Sequence, residues 1–369
     1  MSRPLIPKAS TNMSRFHALT ITDVRPETRD SVSIRLAVPD NLKADFVFLP
    51  GQYLTLRAMV EGEDIRRSYS ISSGLDDGEL RVGIKKVSGG AFSTYANENL
   101  KAGDTIDVMP PAGRFTPAAV GGERHILGVA AGSGITPVLS IIRSVLAREG
   151  AARVTLIYGN QTSQSVMFAE EIEDLKNRHL GRFSVMHILS RETQDVEIMS
   201  GRITAEKLRA LAMGALDLAS VTEAFLCGPE AMVDEARAAL SALGVPQDRI
   251  RSELFTAAKP RQNFKRSPTI AETDAVLSRI TVTLDGKRHA FDLLVSDDTL
   301  IDAALRNGVE LPYSCKGGMC CTCRCKVEAG AAIMALNYSL EAWEMDAGFT
   351  LACQARPTTQ TLALDFDQL

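Results

Sequence analysis

The sequence predicts a multidomain chain in three parts: an antiparallel β-barrel, a doubly wound α/β domain and a small α+β domain that carries a metal cluster. Three observations lead there. Up to about residue 118, short β-rich runs alternate with Gly, Pro and Asp turns. From about 119 to 255, apolar strands alternate with helical stretches, the pattern of a parallel sheet. Near the C-terminus Cys315, Cys320 and Cys323, followed by Cys353, set out the C-x4-C-x2-C…C spacing that holds a plant-type [2Fe-2S] cluster.

Residues 1–15 are polar and lack an apolar core of the kind a secretory leader needs, which argues against secretion, and they are expected to form a disordered N-terminus. The barrel is expected over 16–118, with strands such as 18–22 and 31–36. Within it Arg66-Arg67-Ser68-Tyr69-Ser70-Ile71 brings cations, a ring and hydroxyls onto one strand, where Arg67 and Tyr69 share a face. A flavin needs that set: a guanidinium for its pyrophosphate, a ring to cover the isoalloxazine, and a hydroxyl near N5. Ser70 points the other way on an ideal strand, so its reach to N5 requires a local bend. Ser88-Gly89-Gly90-Ala91-Phe92-Ser93-Thr94 opens a short helix whose free N–H groups suit a phosphate. Lys85, just upstream, is a further candidate cofactor contact. The alternative is a strand with one wet face.

The α/β domain is expected over 119–255, with strands at 126–130, 154–158, 183–189 and 224–226 and helices at 138–149 and 231–243. Ala131-Gly132-Ser133-Gly134-Ile135-Thr136-Pro137 joins a strand to a helix, with Pro137 in the first helical turn. Its glycines let a pyrophosphate approach the helix N-terminus, although the run is not the G-x-G-x-x-G fingerprint and also reads as a tight turn. Ser190-Arg191 ends a later strand and offers a hydroxyl and a cation to a ribose 2′-phosphate, or else is a solvated loop. Cys227-Gly228-Pro229 ends another strand at the same carboxyl edge, where Cys227 lies over a nicotinamide ring or packs as a buried thiol.

A polar, basic linker is expected over 256–276, and the cluster domain over 277–369. The run 280–284 leads into Asp285-Gly286, a hairpin signal, and a helix from about Leu300 to Asn307 is ended by Gly308. Gly317 and Gly318 let the backbone between Cys315 and Cys320 wrap tightly and turn amides toward the cluster. A zinc site, which favours paired C-x2-C halves, and buried free thiols are the alternatives. Cys321 and Cys325 offer other short spacings. The x4/x2 register favours Cys320 and Cys323 as ligands and leaves those two as small buried residues.

The 369 residues are 45% hydrophobic and 23% charged, with a formal net charge of −4, ordinary globular values that give no argument for nucleic acid. No apolar stretch is long enough to span a membrane. Five of the seven cysteines fall within residues 315–325, which suits metal ligation in a reducing compartment, and a cytoplasmic protein is expected.

With those residues in hand, the chain resembles the ferredoxin–NADP reductase superfamily over 16–255, followed by a plant-type ferredoxin domain of β-grasp type. Arg67-Ser68-Tyr69-Ser70 looks like its flavin motif, Gly132 to Pro137 like its nucleotide loop, Ser190-Arg191 like the pair that holds the 2′-phosphate, and Cys227-Gly228-Pro229 like its nicotinamide motif. The resemblance implies FAD and NADPH, a contact of Ser70 with flavin N5, and Glu253 and Phe255 returning an acid and a ring to the flavin. Ser70, Cys227 and Glu253 are thereby the catalytic candidates. Residues 158–168 and Asn337-Tyr338-Ser339-Leu340 look like one branch, the reductase subunits of bacterial phenylacetyl-CoA epoxidases. That branch implies electron flow from NADPH to FAD to [2Fe-2S] and on to a di-iron oxygenase subunit. A Rieske-type or other multicomponent oxygenase is the alternative partner, and a redox sensor without turnover a third reading. The chemistry requires no histidine base, and the five histidines form no cluster.

Overall fold

The computed structural model describes residues 15–118, 123–256 and 275–368. The expected disordered N-terminus lies outside the described residues except for Arg15, and so does the interior of the expected linker. The chain forms two compact units, the larger holding Phe16–Ile65 and Tyr69–Thr256, the smaller the C-terminal segment.

In the larger unit, β1 (His17–Thr28), β2 (Ser31–Ala37), β3 (Tyr53–Val60), β4 (Glu63–Ser70), β5 (Leu80–Lys85) and β6 (Thr105–Val108) form one sheet in the order β4-β3-β6-β1-β2-β5. Its edges meet where Ile71 bridges Val82 in antiparallel fashion, which closes the barrel. Strand alternation does the sorting: Leu19 and Ile21 are fully buried while Thr20 between them is exposed. Glu61 and Gly62 join β3 to β4 with φ of 54° and 86°, the two left-handed residues of a type I′ hairpin. Helix α1 (Ala91–Glu98) seals the barrel with Phe92 and Ala96.

The second half of this unit is a parallel sheet of β7 (His125–Ala131), β8 (Arg153–Asn160), β9 (Phe183–Leu189), β10 (Glu223–Pro229) and β11 (Ile250–Thr256), ordered β11-β10-β7-β8-β9. Ile126 and Ala130 pack on the side of α2 (Ile135–Arg148) and α3 (Ala169–Arg178). Leu127 and Val129 pack on the side of α4 (Ala205–Ala212) and α5 (Glu230–Ala242), so the sheet is doubly wound. The strand order reverses at β7, whose carboxyl end carries the glycine turn.

Barrel and sheet are tied by a charged contact remote in sequence. Arg81 of β5, only 5% exposed, donates from Nη1 and Nη2 to Glu171 of α3 at 2.5 and 2.7 Å. Arg143 of α2 donates to Glu171 at 2.5 Å and to Asp77 at 2.7 Å. Ser140 Oγ also donates to the Ser73 carbonyl at 2.7 Å.

The smaller unit has a five-stranded sheet of β12 (Val276–Leu284), β13 (Lys287–Leu294), β14 (Arg324–Ala329), β16 (Phe349–Leu351) and β18 (Thr361–Asp365), ordered β13-β12-β18-β14-β16. A second pair joins β15 (Ala332–Met334) to β17 (Ala355–Pro357). Asp285 and Gly286 form the expected hairpin turn, with φ of 51° and 71°. Helix α6 (Leu300–Arg306) buries Leu300, Ile301, Ala303 and Ala304 against Ile280, Val282, Leu362 and Leu364, a β-grasp arrangement. A short helix α7 (Ala342–Asp346) precedes β16.

Removing one partner of a buried ion pair strands the other charge, which typically costs about 3 kcal/mol or more. Glu171→Ala leaves Arg81 with Glu79 at 3.2 Å and Arg143 with Asp77 at 2.7 Å, so it is expected to lower the unfolding free energy of the larger unit by less than that, about 2 kcal/mol in urea titrations. A loss below about 0.5 kcal/mol would mean the contact behaves as a screened surface pair.

Candidate functional site

The flavin candidates lie at one end of the barrel. Along β4, Arg67 is exposed, Ser68 and Tyr69 are half-buried and Ser70 is buried. The Tyr69 ring lies 5.6 Å from that of Phe92, which is itself fully buried, so Phe92 supports the tyrosine from behind. Gly90 precedes α1 in extended conformation, and no side chain caps the helix, so its first amides remain available to an anion. Ser93 Oγ is turned back, accepting from Val87 N at 3.1 Å and donating to the Gly90 carbonyl at 3.0 Å. Ala91 begins the helix and is exposed. Lys85 ends β5 and pairs with Asp30 at 3.6 Å.

Some of the nucleotide candidates line a cleft of about 590 Å³ at the carboxyl edge of the parallel sheet, while Gly134, Ile135, Thr136 and Cys227 do not border it. Gly132, Ser133, Ser190, Arg191, Gly228, Pro229, Phe255 and Lys85 all border it. Gly132 adopts φ 54°, and residues Gly132–Gly134 make a single 3₁₀ turn into α2. A Cβ on Gly134 would fall 2.2 Å from the Cys227 carbonyl oxygen, so only glycine lets the turn approach β10 this closely. Ile135 and Thr136 are fully buried, and the Ile135 amide already donates to the carbonyls of Gly132 and Ser133 within the turn. Ser190 N and Arg191 N donate to the carbonyls of Asn160 and Gln161 at 2.9 and 2.8 Å, and this fixes the corner that carries the arginine.

The three catalytic candidates, distant in sequence, come together. Cys227 of β10 and Glu253 of β11 are direct partners in the parallel register, and the Ser70 side chain lies beside the Glu253 carboxyl. Oε2 of Glu253 is enclosed and has no hydrogen-bond partner. Burial pushes this carboxyl up to about 8, against the smaller downward pull of Ser70. Burial first, and the Glu253 charge second, push the Cys227 thiol well above its usual range. A protonated carboxyl beside a hydroxyl suits a neutral heterocycle that needs a hydrogen-bond donor at its edge.

In the smaller unit the cluster candidates form two pairs. The thiols of Cys315 and Cys320 interact with each other, and so do those of Cys323 and Cys353. The amides of Gly317 and Met319 donate to Cys315 Sγ at 3.3 and 3.5 Å, and Gln354 Nε2 lies 3.6 Å from Cys353 Sγ. The Cys320 thiol first, then the backbone amides of Gly317 and Met319, hold Cys315 below the usual thiol range, and the same contact pushes Cys320 up. Gly318 at φ 77° passes so close to Leu336 that a Cβ would fall 3.0 Å from its carbonyl oxygen. Cys325 is buried in β14 beneath this loop, and Cys321 is half-buried at φ 55°. No three ligating side chains converge on one point among the described residues. A two-iron cluster asks for two protein thiolates per iron, which the pairs provide.

Two residues that sequence reasoning missed also border the cleft: Arg202, exposed, and Asn160, buried. Arg202 stands in no motif, and Asn160 lies in the run 158–168, where the sequence assigns it no role.

Family models match in the same three places: an oxidoreductase FAD-binding domain over residues 18–116, an oxidoreductase NAD-binding domain over 129–238, and a 2Fe-2S iron-sulfur cluster binding domain over 282–358. Fold and sites thus define an NAD(P)H-dependent oxidoreductase with an FAD domain, a nucleotide domain and a [2Fe-2S] domain in one chain. The structure of phthalate dioxygenase reductase shares the fold, at TM-score 0.56 and 21% identity, with 97% of this chain and 100% of that chain covered. One component protein of the 1,2-phenylacetyl-CoA epoxidase from Escherichia coli K12 is 45% identical over 96% of this chain and 99% of its own length. The ferredoxin reductase component of 3-ketosteroid-9-alpha-monooxygenase from Rhodococcus rhodochrous is 37% identical, with 96% and 97% covered. The chain belongs to the family of oxygenase reductases that includes these two proteins. No described helix is long and apolar enough to cross a membrane.

Because the folded protein keeps the Glu253 proton that the unfolded chain releases near 4.5, stability from this group is full below that pH and declines as pH rises toward about 8. Glu253→Gln should remove this slope, so that the melting temperature of the variant gains on the parent steadily between those pH values. Parallel curves would mean that the carboxyl ionises normally. For the cluster loop, Cys320→Ser should abolish the cluster absorbance while Cys321→Ser keeps it; the reverse would shift the ligand register by one residue.

Proposed function

We propose that this chain carries electrons from NADPH through FAD and a [2Fe-2S] cluster to a di-iron oxygenase subunit that acts on phenylacetyl-CoA. The observation that carries this reading is the 45% identity with the epoxidase component across 96% of one chain and 99% of the other. A flavin accepts a hydride and releases electrons singly, which matches a two-electron donor to a one-electron cluster.

The residues supply binding and orientation. Tyr69, backed by Phe92, covers the flavin ring, and Arg67 with the first amides of α1 takes the pyrophosphate. Ser70 and Glu253 present hydroxyl and carboxyl to the flavin edge, and Glu253 stays protonated at neutral pH. The Gly132–Gly134 turn at the start of α2 holds the nucleotide pyrophosphate, while Gly228 and Pro229 keep the nicotinamide beside Cys227. Phe255 is an aromatic wall of the same cleft. Ser190, Arg191 and Arg202 favour a 2′-phosphate, which supports NADPH over NADH. Cys315 and Cys320 ligate one iron, Cys323 and Cys353 the other. All seven cysteines are free of disulfides, which supports a reducing, cytoplasmic setting.

Reconstitution tests the partner. With NADPH, the epoxidase oxygenase subunits and phenylacetyl-CoA, epoxide formation should depend on adding this chain. The 37% identity to a steroid monooxygenase component favours a steroid oxygenase as the second reading; faster turnover with that partner would replace the first. Arg191→Ala should raise KM for NADPH at least tenfold and leave KM for NADH within about twofold, an amount expected for one charge-assisted phosphate contact. Equal effects on both would remove Ser190 and Arg191 from the site.

A further inference from the structure

Gln354 follows Cys353 in the chain and turns its side chain back onto the cluster loop. Its backbone is fixed at both ends: the N–H donates to the Leu351 carbonyl at 2.8 Å, and the carbonyl accepts from Ala335 N at 3.0 Å. The residue is only 7% exposed, and its stem lies against the loop, where a Cβ on Gly318 would fall 3.2 Å from Gln354 Cγ. From Nε2 it donates to the Lys316 carbonyl at 2.8 Å, and the same nitrogen lies 3.6 Å from Cys353 Sγ, within hydrogen-bonding distance of a sulfur. A carbonyl only accepts, so Lys316 decides which end of the amide points inward. It is the NH2 group, with one N–H for the carbonyl and a second for the sulfur.

We propose that the Gln354 amide donates a hydrogen bond to the Cys353 sulfur in the loaded protein and thereby raises the reduction potential of the [2Fe-2S] cluster. The inference rests on the reading of Cys353 as an iron ligand. Reduction brings in one electron, delivered from the flavin, and with it one more negative charge, part of which the ligand sulfurs carry. An N–H aimed at one of those sulfurs stabilises the reduced form more than the oxidised form. The donors to Cys315 are the backbone amides of Gly317 and Met319, which are present whatever the side chains. At Cys353 the donor belongs to a side chain, so a single substitution removes it. Gln354 is thus a positioning residue that acts through Cys353, held in place by Lys316, and it biases the electron toward the cluster.

The test is a mediated redox titration of the full-length, FAD- and cluster-loaded protein, with the reduced cluster read by low-temperature EPR. Gln354→Met keeps the length of the side chain and removes its donors. At a fixed potential it should shift the ratio of oxidised to reduced cluster about tenfold toward the oxidised form, which is a midpoint lower by about 59 mV. Gln354→Glu keeps the shape and sets a carboxylate, which only accepts, beside the sulfur, so its midpoint should fall at least as far. Both variants should retain the cluster absorbance. A ratio within about twofold of the parent's in Gln354→Met, an unchanged midpoint in Gln354→Glu, or loss of the cluster from both variants would overturn the inference, because the amide would then serve only to hold the loop. Undiminished cluster absorbance in Cys353→Ala would instead overturn the ligand reading on which the inference rests.

Discussion

The approach of the Gly134 backbone to the Cys227 carbonyl is the constraint on which the larger unit's chemistry depends. With no Cβ at 134, the turn after β7 presses against the end of β10; any side chain there would meet the carbonyl at 2.2 Å. That contact sets the phosphate-suited turn and the thiol-bearing strand end side by side. The parallel register then puts Glu253 next to Cys227, and Ser70 reaches the same carboxyl from the barrel. Three short motifs separated by long stretches of chain thereby share one edge of the sheet, at the switch point where such folds bind their ligands.

Electrostatics keeps that edge in place and also gives it chemical character. Glu171 is the hinge of the first effect, since it accepts from Arg81 on the barrel and from Arg143 on the helix that follows the glycine turn. Glu253 is the centre of the second. Its carboxyl is enclosed enough to hold a proton at neutral pH, and so offers a donor where an ionised acid would only accept. In the cluster loop a neighbouring thiol and backbone amides favour the charged form of Cys315, at the expense of Cys320.

Much of this was legible in the sequence where chemistry depends on local spacing. The C-x4-C-x2-C run with its glycines, the Asp285-Gly286 hairpin and the strand-to-helix turn at Gly132 each express a backbone requirement within a few residues. Strands β7 to β10 and helices α2 and α5 were visible as apolar runs. Strand β11, with Arg251 and Glu253 alternating with neutral residues, hides its inward acid behind a polar pattern. Helices α3 and α4 were hidden for a similar reason: only Ile172 and Leu175, and Leu208 and Leu211, are buried on them. Long-range pairings were illegible altogether. Arg81 and Glu171, for example, stand ninety residues apart. Ile135 and Thr136 lie in the nucleotide loop by spacing, but the fold turns their side chains into the core.

The most direct test of the account is an anaerobic titration of the flavin- and cluster-loaded protein with NADPH, followed by visible absorbance and low-temperature EPR. The account predicts bleaching of both flavin and cluster bands and a rhombic signal from the reduced cluster. Bleaching of the flavin with an unreduced cluster would contradict it, because the C-terminal unit would then stand outside the electron path.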